Sequence, residues 1–330
     1  MSFMKKIVFL LFCVMVLSGC GKKSESDILK QLFKKIDSLN SYHLSGMMEI
    51  INNENTYKYA VDVSFLKDNN FRVSLKNQTN NHEQIILRNS DGVYVLTPSL
   101  NKSFKFQSEW PYNNSQCYLL HNILNDINSD DQRIFEKGDN GYFITVKTNY
   151  SNDKELASEK IYIDDNLNIK SVDVFDSDGN VKMKMSIDNI MYDSDFNVDY
   201  FALNNNMSVF FENDILKADI DNVLYPMYIP QNTYLSSQDK VSLNEGERII
   251  LTFSGDYPFM IIQETIENIH DSLLSVSGNP YQLVDSVGAL DDSSVSWISN
   301  GISYYLVSNS LNQEQLIEIA NSMSVASIVK

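Results

Sequence analysis

The chain has 330 residues, with 26 Lys+Arg against 43 Asp+Glu, 43% hydrophobic residues and three cysteines. Two domains of about 150 residues fit in that length, and the apolar fraction excludes a disordered acidic polymer. A formal charge of −17 leaves no concentrated basic surface for phosphate, so nucleic acid is not an expected partner. The spacing of Cys13, Cys20 and Cys117 fits neither a zinc site nor a disulfide framework.

Lys5 and Lys6 precede an apolar run from Ile7 to Leu17. The run is shorter than the roughly 20 residues that cross a bilayer, so it reads as an export signal and not as a spanning helix. It ends in Leu17-Ser18-Gly19-Cys20, which resembles the bacterial lipobox. Residues 1–19 are thus expected to be a signal peptide and Cys20 to be the lipid attachment site, a diacylglyceryl-cysteine holding the chain on the extracytoplasmic face of the cell membrane. Cleavage removes two lysines and no acid, lowering the formal charge from −17 to −19. Cys117 is then the one unmodified thiol. Residues 20–26 form a polar tether.

From Asp27 the pattern turns helical, with Ile28, Leu29, Leu32, Phe33, Ile36 and Leu39 on one face behind a candidate N-cap at Ser26. Period-two alternation follows in Tyr57, Tyr59, Val61, Val63, Phe65; in Phe71, Val73, Leu75; in Phe104, Phe106; in Tyr142, Ile144, Val146; in Ile161, Ile163; and in Val181, Met183, Met185, Ile187. Alternation of this kind marks an antiparallel sheet with one apolar face. Asp91-Gly92, Asn140-Gly141 and Asp178-Gly179 suit hairpin turns between these runs. A second helix is expected over 115–127, carrying Leu119, Leu120, Ile123, Leu124 and Ile127.

Nine or ten strands make a sheet on the order of 45 Å wide, which two helices about 10 Å across leave more than half uncovered. The apolar face therefore either packs on itself or lines an open half-barrel with a hydrophobic cavity. In the second case Tyr57, Tyr59, Val61, Val63, Phe65, Phe71, Val73, Phe104, Phe106, Leu120 and Leu124 line a ligand site; in the first they are core.

The pattern stops near Leu203, placing one domain at 27–206 and a connector at 207–222. Residues 223–330 read as a smaller α+β unit with strands at 248–253 and 259–263, a hairpin through Asn300-Gly301 and a last helix from Ser310 with Gln313 completing a capping box. Residues 207–330 hold four Lys+Arg and sixteen Asp+Glu, which makes the second unit the acidic one. The fold class is α+β: a curved antiparallel sheet with helices over its concave face, plus a smaller α+β domain.

The segments Gln84-Ile85-Ile86-Leu87-Arg88-Asn89, Gly92 to Pro98 and Asn101 to Pro111 resemble a group of lipoproteins from spore-forming bacteria within the LolA-type superfamily of lipoprotein carriers and lipoprotein-binding proteins. The resemblance covers about Asp27 to Leu203 and implies a strongly curved half-barrel with a greasy interior. Tyr228-Ile229-Pro230, Gln263-Glu264, Trp297 and Asn300-Gly301 resemble a small uncharacterised domain attached to extracytoplasmic lipoproteins, and the two-part layout is similar in architecture to periplasmic regulators of envelope-stress sigma factors. A chain anchored through Cys20 is no shuttle, so a fixed receptor, chaperone or sensor is implied.

Catalytic chemistry is not indicated. His43, His82, His121 and His270 are scattered, no phosphate loop or nucleophile elbow occurs, and no cofactor is expected. Asp176-Ser177-Asp178-Gly179-Asn180 begins like a calcium loop, but Ile187 stands where the closing glutamate belongs, so it reads as a hairpin turn. The expectation is a non-enzymatic lipoprotein of sporulation or envelope maintenance that binds an acyl chain or a hydrophobic exported partner. The alternative is a regulatory or chaperone-like interaction module for an envelope or spore-cortex protein, without a lipid ligand.

Overall fold

The computed structural model describes residues 24–150, 155–207, 220, 222–243, 246–266 and 272–325. The expected signal peptide, Cys20 and most of the expected connector lie outside the described residues. No described helix is long and apolar enough to cross a membrane.

Helix α1 (Glu25–Asp37) starts two residues earlier than Ser26 suggests. Ser24 is the N-cap, and its hydroxyl and the Asp27 carboxylate form a reciprocal capping box. Ile28, Leu29, Leu32 and Ile36 are its buried stripe, whereas Phe33 is half-buried. Leu39 lies beyond the C-cap at Ser38.

Eleven strands follow in meander order: β1 (Ser41–Asn52), β2 (Asn55–Leu66), β3 (Asn70–Asn77), β4 (Glu83–Asn89), β5 (Gly92–Thr97), β6 (Lys102–Phe106), then, after α2 (Leu120–Ser129), β7 (Ile134–Gly138), β8 (Gly141–Lys147), β9 (Leu156–Asp164), β10 (Ile169–Asp176) and β11 (Val181–Tyr192). They pair antiparallel, and β11 closes back on β1. Two glycines are fixed by this geometry. At Gly46, where a bulge shifts the β1–β11 register, a Cβ would overlap the Ser186 carbonyl. At Gly141 the φ of +154° and the nearby Ile163 carbonyl exclude any side chain.

The hairpin turns sit one residue before two of the expected dipeptides. Gly92 and Gly141 are the first strand residues, and Ser90-Asp91 and Asp139-Asn140 make the turns. At the calcium-like sequence the Asp176 carboxylate accepts the backbone N–H groups of Asp178 (3.0 Å) and Asn180 (2.7 Å), so its oxygens close the turn.

A short α3 (Leu203–Met207) ends a strap, residues 194–207, laid over the outer face of the sheet. Phe201 is fully buried there against Ile85, Leu87, Tyr94 and Leu96. Asn89 Nδ2 donates to the Phe201 carbonyl (2.8 Å) and Arg72 Nε to Asn206 Oδ1 (2.7 Å). That cover explains the unbroken runs Ile85-Ile86-Leu87 and Val93 to Leu96: both faces of β4 and β5 are buried.

The remaining strands are β12 (Leu224–Pro226), β13 (Thr233–Ser242), β14 (Glu247–Gly255), β15 (Phe259–Thr265), β16 (Ser272–Val276), β17 (Asn279–Gln282), β18 (Val287–Leu290), β19 (Ser294–Ser299), β20 (Ile302–Val307) and, after α4 (Gln313–Asn321), β21 (Met323–Val325). Helix α4 starts later than expected: Asn312 is its N-cap and Gln315, not Gln313, completes the capping box. Seven strands form a second sheet in the order β13-β14-β15-β20-β19-β18-β17. One of its faces packs Leu251, Phe253, Ile261, Trp297 and Leu306 with Leu316 and Ile319 of α4.

Strand β16 does not join that sheet. It runs parallel to β6 and makes the first sheet twelve-stranded, so residues from the C-terminal part complete the N-terminal sheet. The end strands β7 and β16 do not pair, and the sheet is open: an α+β fold built on an open, curved, mainly antiparallel sheet.

Candidate functional site

The register brings the predicted residues of β2, β3 and β6 to one face. Phe65 faces Phe71, Val63 faces Val73, and Val95 and Val93 carry the same face across to Phe104 and Phe106. Helix α2 lies over it, with the His121 ring 4.5 Å from that of Phe65 and 6.0 Å from that of Tyr42. Leu120 and Leu124 of this helix are buried, as are all the predicted strand residues except Tyr57 and Phe104, which are half-buried.

Two further pieces roof the same face. The loop after β6 carries Trp110, 1% exposed, whose carbonyl accepts from Arg88. Asn122 of α2 holds that loop by donating to the carbonyls of Pro111 (2.7 Å) and Asn114 (2.8 Å). The second piece comes from the C-terminal part. Tyr59 Oη donates to the Val284 carbonyl (2.8 Å), while the Gln84 amide donates to the Val287 carbonyl (3.2 Å) and accepts its N–H (2.6 Å). A side-chain amide here imitates a strand partner and satisfies both backbone groups of buried Val287 at the start of β18.

Beneath this roof the described residues enclose a cavity of about 40 Å³ lined by Met48, Ile86, Trp110, Cys117, Tyr150, Tyr281 and neighbours. None of the eleven predicted residues lines it. A larger cleft of about 550 Å³ opens between the rim of the first sheet, at Ile50 to Asn53, Tyr57 and Lys182, and Met227, Tyr228, Glu318 and Met323 of the C-terminal part. Tyr57 alone of the predicted set reaches it. Its walls mix Asn, Glu and Lys side chains with Met, Ile and Tyr.

Sequence reasoning passed over two buried acids. Glu159 of β9 is 0% exposed and Asp126 of α2 is 4% exposed. Among the described residues neither Glu159 oxygen nor Asp126 Oδ2 has a hydrogen-bond partner. Burial pushes the Asp126 carboxyl up to about 6, and burial together with the neighbouring Asp126 charge raises Glu159 well above the usual carboxylate range. Burial also pushes the Cys117 thiol up to about 12, with Glu159 adding to it, which leaves an unreactive core cysteine. The signal for Glu159 was available: it shares the inward parity of Ile161 and Ile163. Among the described residues, no group of three or more His, Cys, Asp or Glu is placed to hold a metal ion.

A family profile described as "Sporulation protein YdcC-like" matches residues 2–201. Sporulation protein YdcC of Bacillus subtilis (strain 168) is 34% identical over 319 residues, spanning 95% of this chain and 94% of that protein. The chain belongs to the YdcC-like family of sporulation proteins. Among solved structures, this YdcC-like chain is similar to the MucA/MucB complex of Pseudomonas aeruginosa (11% identity, 92% of this chain and 99% of that one, TM-score 0.33). It is also similar to a LolA-superfamily protein of Nitrosomonas europaea (9% identity, 54% and 98%, TM-score 0.32). The YdcC-like profile ends at 201, just before α3, and the relative's match runs on through nearly all of the C-terminal part.

Proposed function

We propose that this YdcC-like protein is a membrane-anchored, non-enzymatic binding protein of sporulation, tethered through Cys20 on the extracytoplasmic face. In this reading it takes a segment of an exported protein in the cleft between the sheet rim and α4. The observation that carries the proposal is the contrast of volumes, about 40 Å³ beneath the roof against about 550 Å³ in the cleft. Sites for drug-sized or acyl ligands run to about 300 Å³ or more, so the roofed cavity has room for a water or two and the cleft for a chain. The mixed lining suits a polypeptide: methionines adapt to varied apolar side chains, and Asn and Glu side chains offer partners to backbone amides.

The test uses point variants of the full chain. Met227 is 67% exposed on the cleft wall, so Met227→Glu leaves the fold intact. Affinity capture from sporulating cells should recover a stoichiometric protein partner with the wild type and lose it with Met227→Glu, and the delipidated protein should show no saturable binding of a fluorescent fatty acid. Saturable fatty-acid binding with capture unaffected by Met227→Glu returns the acyl-chain reading.

A further inference from the structure

Among the described residues the second sheet has one covered face and one open face. Across the open face the register aligns Asp239, Ile250, Ile262 and Tyr305 in one row of β13, β14, β15 and β20. Thr252, Met260 and Val307 form the next row. Ile250, Ile262, Met260 and Val307 are half-buried by one another and their neighbours, whereas Tyr305 is 41% exposed and Tyr234, opposite Ser254 on the same face, is 62% exposed. An apolar centre of this kind, fringed by tyrosines, has the composition of a recognition surface. β13 is also an edge strand, exposed at every residue after Thr233.

Charge decides what fits there. The four strands carry two cations, and both are committed: Lys240 to Glu247, and Arg248 Nε to Glu264 Oε2 at 2.5 Å. Asp239 in the central row and Asp256 in the β14–β15 turn are exposed, and neither has a cationic partner among the described residues. The surrounding stretch 207–330 has sixteen acids against four bases. A second copy of the chain would set Asp239 and Asp256 against the same acids, and an anionic membrane surface would be repelled in the same way.

We propose that the open face of β13, β14, β15 and β20 is a second docking surface, and that its occupant is an amphipathic segment of a protein partner whose apolar stripe is flanked by lysine or arginine. The apolar stripe covers Ile250, Ile262 and Tyr305, and the flanking cations answer Asp239 and Asp256. The surface shares no residue with the cleft and stands whether or not the cleft takes a chain.

The experiment titrates the full chain with two probes, an amphipathic helical peptide of leucine and lysine and its leucine and glutamate counterpart, followed by fluorescence anisotropy. The lysine peptide should bind saturably at one site, about tenfold weaker to Tyr305→Lys and Ile262→Lys and weaker at high salt. It should be unchanged by Met227→Glu, which separates this surface from the cleft. A photo-crosslinker at Tyr305 in sporulating cells should map to an apolar segment with adjacent Lys or Arg. Equal binding of the glutamate peptide, indifference to both lysine variants with melting temperature unchanged, or a crosslink to an acidic segment overturns the proposal. A concentration-dependent dimer abolished by Tyr305→Lys also overturns it and gives the face to a second copy.

Discussion

Asp126 and Glu159 are carboxyl groups taken out of water without a cation among the described residues, an arrangement that penalises ionisation far more than it penalises the protonated acid. Because their native pKa values lie above those of the unfolded chain, they stabilise the fold fully below about pH 4 and lose that contribution as pH rises through the native values, about 6 for Asp126. Glu159→Gln should therefore melt higher than wild type at pH 8, by on the order of 5–10 °C, with the difference shrinking towards pH 5. A difference that does not change with pH would show that Glu159 holds no native proton. The pair was legible as parity in β9 and as an acid in the apolar stripe of α2, yet a charged residue at an inward position reads by default as a strand or helix boundary. Cap positions were less legible: Ser24 and Asn312 are the true N-caps, and neighbouring Ser26 and Ser310 carry the same chemistry.

Among the elements, alternation located strands well because one buried face imposes a period of two. It located the cover poorly. The alternation stops near Leu203, yet Phe201 of the strap over 194–207 is fully buried and turns β4 and β5 into strands with two apolar faces. Phe201→Ala should cost about 3–5 kcal/mol, seen as a lower denaturant midpoint, with loss of amide-exchange protection concentrated in β4 and β5. Protection lost evenly across both sheets would argue that the strap is no local cover. The continuous runs Gln84 to Leu87 and Gly92 to Leu96 were the clue in the chain itself, since a strand bathed on one side has no need of them.

For the molecule as a whole, the expected shortage of roofing over the inner face was correct in kind, and its remedy was invisible because it is long-range. Gln84 and Val287 are 203 positions apart, and Tyr59 and Val284 are 225 apart. No periodicity within either segment encodes such a meeting. The C-terminal part thus supplies both an edge strand, β16, and the loop that closes over Tyr59 and Gln84. A chain ending at Met207 should bind a hydrophobic dye more strongly than the full chain and self-associate more readily. A dye-silent monomeric truncation would mean that the sheet's own side chains suffice to seal it.

The joint at Gln84 and Val287 also sets a timetable. The last meander strand ends at Tyr192, and Val287 lies 95 residues further along the chain. Until that stretch has arrived and docked, the greasy side of the sheet is bare wherever the chain folds. A premature stop codon within it should yield not a smaller working protein but a sticky one.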